Sequence, residues 1–517
     1  MSKPLIPSVP LRADSTLTAK AKVSPLNEEF AKLVQTTLEK WHINGVAVAV
    51  IDGDDTWSEG YGLASLPDIP VKPSTLFWAG STTKSFTASA ASLLVDDDEK
   101  YPHIKWNTPL SQLIREDFAV QHEYATLHIT LEDALSNRTG LPGHMLTLGR
   151  EGTVRDVVRS LRYLPMDKEI RTTWQYCNAM FITVAHMIEV VTGQWLGDFL
   201  RERIWGPLGM KSTFFSLEDA QRHASSNEDA TLAKPYVWDK DSSELKELPF
   251  CEATLSGAGA VISNVLDYAT YVRSMIRKSG PLSQAGYEEL MKPRSFMPTL
   301  IPLFKKQMTY SLGLMSATYR GEEVILHPGG LDGMTSTMIF FPDRDYGVVV
   351  FSNATGMGRE VLAWHLIDDF LGVPQEERFD LYDFKQQITS KKQAARSTAR
   401  ERLYPSAPWP GQSSSLPLAD YAGTYRHLAY PDLIISLTGY EPSLRITMAG
   451  AFQTQMNLKH VSGDSFVLEI FEYMYEEPSG IVKAEFYVDV AGKAVKFGAA
   501  IDSDMPNTLI WFSLFDK

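Results

Sequence analysis

Cysteine is nearly absent: Cys177 and Cys251 are the only two in 517 residues. So few thiols exclude a disulfide framework and point to a reducing, cytoplasmic setting. Long apolar runs are also missing, and no stretch approaches the roughly 18 residues that span a bilayer. Residues Met1 to Lys22 lack the apolar core of a secretion signal and read as a mature, intracellular start or a short disordered arm. Basic clusters do not occur. With 49 Lys and Arg against 63 Asp and Glu, the net charge is −14, which argues against nucleic acid or an anionic membrane as partner. His122, His128, His427 and His460 have no ligand-like neighbours at useful spacing, so no metal and no cofactor are expected.

What is present is globular. The hydrophobic share is 44%, and the length calls for two or three domains. Val46 to Asp52 is a continuous apolar run, expected as a buried strand that turns at Asp52-Gly53-Asp54-Asp55 into a partner, Trp57 to Leu63. Helical and loop-like patterns then dominate to about Ile276. Strand signals return at Ser311 to Tyr319, Glu323 to His327, Thr335 to Phe341 and Gly347 to Ser352, and a helix is expected over Arg359 to Leu371. Strands at both ends with helices between imply one sheet completed by distant segments and carrying a helical insertion. Beyond Pro374, Lys385 to Arg402 reads as a charged helix and Tyr404 to Pro417 as a linker rich in proline and serine. From Tyr421 onward, β-branched and aromatic residues alternate with polar ones between turn signals at Gly439, Gly450, Gly463, Gly480 and Gly492, which predicts an antiparallel meander of six to eight strands.

Three short motifs carry chemistry. An apolar segment, Thr75 to Ala79, ends at Gly80, and a small-residue helix is expected from Ser81 through Leu94. A serine in the first turn of a helix is exposed, and Lys84, three residues on, lies on the same face within reach of its hydroxyl. Tyr176 and Asn178, two apart before an apolar helix that stops at Thr192-Gly193, can both project from a loop into a cleft. His327-Pro328-Gly329-Gly330 closes the strand from Glu323, where glycines let a ligand approach the backbone. Each motif alone has a plain structural reading: a polar helix face, a buried tyrosine with an asparagine cap, and a turn.

In this order and at these spacings the motifs resemble the serine β-lactamase-like superfamily, closest to its class C, esterase and D-peptidase branch. Asn137-Arg138-Thr139-Gly140-Leu141-Pro142 and Gly257-Ala258-Gly259-Ala260-Val261-Ile262-Ser263 are similar to two further segments of that family. Tyr421-Ala422-Gly423-Thr424-Tyr425 resembles the opening of a lipocalin-like barrel found on some members. The resemblance implies an α/β fold, an antiparallel sheet flanked by helices with a mostly α-helical insertion, plus a C-terminal antiparallel β-barrel. The expected division is 1–25 arm, 26–375 catalytic domain, 376–417 helix and linker, 418–517 barrel.

By the same resemblance Ser81 is the nucleophile of an acyl-enzyme, and Lys84 and Tyr176 form a coupled pair that takes its proton. Lys84 could act only as a neutral amine, below its reference pKa of about 10.4. Asn178 would hold Lys84 and the substrate's ester or amide group, and His327, Gly329 and Gly330 would also bind substrate, with the amides of Ser81 and Gly330 holding the oxyanion. Two departures stand out. His327 replaces the lysine of true class C β-lactamases, which favours esterase, acyltransferase or D-peptidase chemistry; the leading expectation is a hydrolase or acyltransferase acting on a small-molecule ester or amide. Asn137 replaces the family's usual histidine. The alternatives are a D-amino-acid peptidase or amidase and a non-catalytic scaffold of the same fold. Cys177, between two site residues, reads as structural, because Ser81 already supplies the nucleophile.

Overall fold

The computed structural model describes residues 22–515 apart from 252, 299–300, 440–442, 452–453 and 472–477. Most of the expected N-terminal arm, residues 1–21, therefore lies outside the described residues. A nine-stranded antiparallel sheet runs in the order Ile69–Pro70, Asp55–Ser65, Gly45–Asp52, Tyr346–Ser352, Met334–Phe341, Glu322–Leu331, Met315–Tyr319, Met308–Tyr310 and Ser295–Met297. Its centre joins the two ends of the region: Val46 pairs with Ser352 and Asp52 with Tyr346.

The central strands are continuous apolar runs because helices cover both faces. Strand alternation shows this at one step. Tyr346 stacks its ring on Phe370 of the Gly358–Phe370 helix, with centroids 3.7 Å apart. Gly347, pointing the other way, faces the Val265–Arg277 helix, where a Cβ would lie 2.9 Å from Val272 Cγ1.

Between the two sets of strands lies the helical insertion, built around the Thr83–Asp96 and Asn178–Thr192 helices. Every side chain from Thr83 to Val95 is buried, polar ones included. Local back-bonding satisfies two of the polar ones, Ser85 Oγ donating to Thr82 O at 2.8 Å and Ser89 Oγ to Ser85 O at 2.9 Å, and Thr87 Oγ1 donates across to Gly257 O at 2.7 Å. Small side chains are what let neighbours close on this helix, and at Gly257 a Cβ would meet Thr87 Oγ1 at 2.7 Å. Among the described residues no single helix is long and apolar enough to cross a membrane.

The C-terminal region is a closed antiparallel barrel of eight strands from Gly423–Arg426 to Ile510–Leu514, sealed by pairing of Tyr425 with Leu514. Burial alternates residue by residue in Leu444–Met448. The interior is filled with rings, Phe486 lying 4.6 Å from Tyr421 and 5.0 Å from Phe497 between centroids, as is usual for a barrel of this strand number.

Two expected elements are corrected. Ser311 to Tyr319 is not one strand: Met308–Tyr310 and Met315–Tyr319 are separated by a turn at Gly313. That glycine has φ +70°, and a Cβ there would stand 2.6 Å from Lys84 O. The strand from Glu322 does not end at His327 but continues through Pro328 to Leu331. Its neighbour Met315–Tyr319 pairs only as far as Leu326. From His327 onward the strand is bonded on one side alone, to Met334–Met338, so proline is tolerated there. A free sheet edge is left facing the Ser81 turn.

Candidate active site

Ser81 sits in a 3-10 turn, Gly80–Thr82, that feeds the Thr83–Asp96 helix. The strand-like segment before it shortens to Phe77–Trp78, paired with Ile262–Ser263. Gly80 has φ +55°, and a Cβ on it would lie 2.6 Å from Gly330 N. Only glycine allows the turn to lean so closely on the free strand edge.

Lys84 is 0% exposed, yet its amine is fully engaged. Nζ lies 2.9 Å from Ser81 Oγ and 2.8 Å from the carbonyl of Ala258. That carbonyl comes from the short Ser256–Gly259 helix, the glycine-rich segment legible in the sequence as a family likeness without a stated role. Burial in this apolar surround pushes the Lys84 amine well below its ordinary value. Across the cleft, the Tyr176 ring centroid is 4.8 Å from Lys84 Nζ. Burial raises the Tyr176 phenol well above its usual range, and its hydrogen bond with Ser81 works in the opposite direction. Both shifts favour the same state, a neutral amine beside a neutral phenol.

Asn137, whose effect the sequence left open, turns out to hold the Tyr176 loop. Its backbone is left-handed at φ +54°, a conformation asparagine tolerates better than most residues. From there its Oδ1 accepts from Cys177 N–H at 3.0 Å and its carbonyl from Gln175 N–H at 2.8 Å. Tyr176 is thus bracketed on both sides. Cys177 is buried and its thiol is pushed up to about 12 by desolvation, which makes it a poor nucleophile.

The substrate-binding set divides. Gly330 is exposed and lines the cleft with Asn178. His327 is only 1% exposed and stands behind the wall. Its Nδ1 is 2.6 Å from the carbonyl of Pro328, which can only accept, so the proton is on Nδ1 and Nε2 accepts from the Tyr310 hydroxyl at 3.1 Å. With both nitrogens occupied, His327 has no atom left for substrate. Burial, with Lys84 nearby, lowers it to about 3, so the imidazole is neutral. Gly329 also faces inward: a Cβ there would meet Ala79 O at 2.1 Å. Both residues shape the strand edge from behind. Asn178 does not reach Lys84 as expected; its Nδ2 donates to Met145 Sδ at 2.9 Å. Met145 comes from a 3-10 segment, Met145–Gly149, folded over the cleft. Tyr310 and Met145 carried no signal that sequence reasoning could use.

The cleft has a volume of about 240 Å³. Ser81, Tyr176, Asn178 and Gly330, from the expected site motifs, line it together. Met145, Leu146, Leu148, Leu255 and Leu331 make its walls largely apolar, and Thr454, from the barrel, completes them. No lysine or arginine lines it. A serine hydroxyl hydrogen-bonded to a buried, deprotonation-prone lysine, set beside backbone amides at a strand edge, is an arrangement for attack on an acyl carbon.

An antiparallel sheet with this helical insertion and this serine, lysine and tyrosine grouping defines a β-lactamase-fold serine hydrolase. The chain belongs to the beta-lactamase family, whose model matches residues 30–371; a model described as a domain of unknown function (DUF3471) matches residues 407–513. It is 42% identical over 421 residues to the unguisins hydrolase ungD' of Aspergillus campestris, covering 80% of this chain and 78% of that one. To the unguisins hydrolase ungD of Aspergillus violaceofuscus it is 38% identical over 500 residues, covering 91% and 87%. In fold it is similar to the octameric penicillin-binding protein homologue from Pyrococcus abyssi, with a TM-score of 0.60 at 18% identity over 94% of this chain and 99% of that chain.

Proposed function

We propose that this protein is a serine hydrolase that cleaves a small-molecule ester or amide through an acyl-Ser81 intermediate. The observation that carries the reading is the Lys84 amine, buried, depressed in pKa and 2.9 Å from Ser81 Oγ. As neutral Lys84 takes the Ser81 proton, Oγ attacks the substrate carbonyl carbon and the carbonyl oxygen becomes an oxyanion. The amides of Ser81 and Gly330 stabilise that charge, each such donor contributing roughly 3 kcal/mol in comparable enzymes. The proton then passes by way of Tyr176 to the leaving oxygen or nitrogen as the scissile bond breaks. Water attacks the acyl-enzyme in the second half, its proton leaving by the same pair and returning to Ser81 as the acid departs.

Hydrolysis is favoured over transfer because the similar proteins at 42% and 38% identity are both named hydrolases. A compound of the kind they are named for is the first substrate to try. With Asp332 and no cationic side chain on the cleft wall and a neutral His327 behind it, a substrate carboxylate has no fixed partner, which favours esters and amides without one over β-lactam antibiotics. The test is intact-protein mass after treatment with a fluorophosphonate. Wild type should gain one adduct and Ser81→Ala none. An adduct on both, or full turnover by Ser81→Ala, removes the reading.

A further inference from the structure

The segment over the cleft is held from the barrel. His144, in the left-handed region at φ +42°, donates its backbone N–H to Asp502 Oδ2 at 2.7 Å. Its imidazole is fixed by two partners. Nε2 is 3.0 Å from the carbonyl of Pro165, so it carries the proton, and Nδ1 accepts from the Tyr430 hydroxyl at 2.6 Å. At the other end of the segment, Ala451 N–H donates to Gly149 O at 2.8 Å and Arg150 Nη1 to Leu428 O at 2.6 Å. Gly450, at φ +106°, comes so close that a Cβ would lie 2.1 Å from Gly149 O. Asp502, Tyr430, Leu428 and Ala451 are all barrel residues, so both anchors of the segment belong to the other domain.

What lies between those anchors is the cleft wall: Met145, Leu146 and Leu148 line it, and Met145 Sδ is the acceptor for Asn178. Thr454, at the entry to the Gln455–Ser462 strand, lines it directly. We propose that the barrel is part of the substrate site. Thr454 and the anchored segment form an apolar subsite, facing Ser81, for the extended apolar portion of the ester or amide. Thr454 is a specificity-determining residue; His144, Tyr430, Asp502 and Arg150 are positioning residues that act through Met145, Leu146 and Leu148. The inference rests on the acyl-Ser81 reading.

The experiment compares kcat and KM for p-nitrophenyl acetate and p-nitrophenyl octanoate in the full chain, with fluorophosphonate labelling of Ser81 run in parallel. Wild type should prefer the octanoate in kcat/KM by at least about tenfold, the scale on which apolar pockets discriminate. Tyr430→Phe and Arg150→Ala should each lower that preference about fivefold or more through KM for the octanoate, a loss larger than any in acetate turnover or labelling rate. Arg150 is exposed, so its variant folds even where Tyr430→Phe does not. Thr454→Phe, which fills the subsite, should raise KM for the octanoate further still. Equal losses on the two esters, or an unchanged preference in all three variants, overturns the proposal. Failure of wild type to label at Ser81 sinks the acyl-enzyme reading instead.

Discussion

The two walls of the cleft are built differently. The reactive wall is a contact of backbone on backbone: the Gly80 turn against the edge at Gly330, and Gly329 against Ala79, with no room for a Cβ at either glycine. The opposite wall is the five-residue 3-10 segment Met145–Gly149, fixed by side chains and carbonyls from another domain. Close packing tolerates almost no displacement, whereas a few hydrogen bonds can be lost singly. The proposed chemistry thus sits on the part that cannot vary, and the proposed recognition of substrate on the part that can.

Substitutions on the reactive wall should be severe. Lys84→Met conserves volume and removes the proposed base, so kcat/KM should fall by about three to four orders of magnitude, measured by steady-state turnover. The same variant has a stability signature. In the unfolded chain Lys84 titrates near its ordinary 10.5, and in the folded chain well below. Between those values the unfolded state binds the extra proton, so wild-type stability rises with pH across that window. The melting temperature of wild type should therefore gain on that of Lys84→Met as pH is raised from about 7 to about 10. A constant difference would mean that Lys84 is charged in the fold.

Gly329→Ala comes next, through stability. Its Cβ would fall 2.1 Å from Ala79 O and 2.2 Å from Ser336 Oγ, and overpacking of this kind costs about 3 kcal/mol, readable as a shift in the urea midpoint. Tyr310→Phe should cost less, about 1–2 kcal/mol, by leaving the buried His327 Nε2 without its donor. Met145→Ala tests the other wall. Its side chain is 49% exposed, so unfolding should change by under about 1 kcal/mol while KM rises. A large stability loss at Met145 and a small one at Gly329 would invert the comparison between the walls.

The reactive wall was the legible one. Ser81 and Lys84 declare themselves because a three-residue spacing on a helix fixes their proximity, and the runs Val46–Ile51 and Val348–Phe351 because a strand buried on both faces must be apolar throughout. A C-terminal meander of six to eight strands followed from regular turn signals, and the closed barrel has eight. The remaining parts had no local signature. Ala258 acts through a carbonyl, which any residue supplies. Tyr310, Met145 and Thr454 meet the site through the tertiary fold, and the His144 contact to Asp502 joins positions 358 apart. His327 and Gly329 carried the right motif yet face inward, because alternation along a strand places side chains on opposite sides and a motif does not say which side is the cleft.

Pairing of Val46 with Ser352 has a consequence during synthesis. The strand Gly45–Asp52 leaves the ribosome roughly 300 residues before the partner that closes its second edge, an interval of about 15 to 60 s at ordinary elongation rates. Through that interval one of the most apolar segments of the chain has Asp55–Ser65 on one side and nothing on the other. A transcript that ends before Tyr346 leaves that edge open for good, and its product is a template for aggregation. For this protein the order of manufacture makes late truncation as damaging as early truncation, and assistance by a chaperone matters most while the helical insertion is being made.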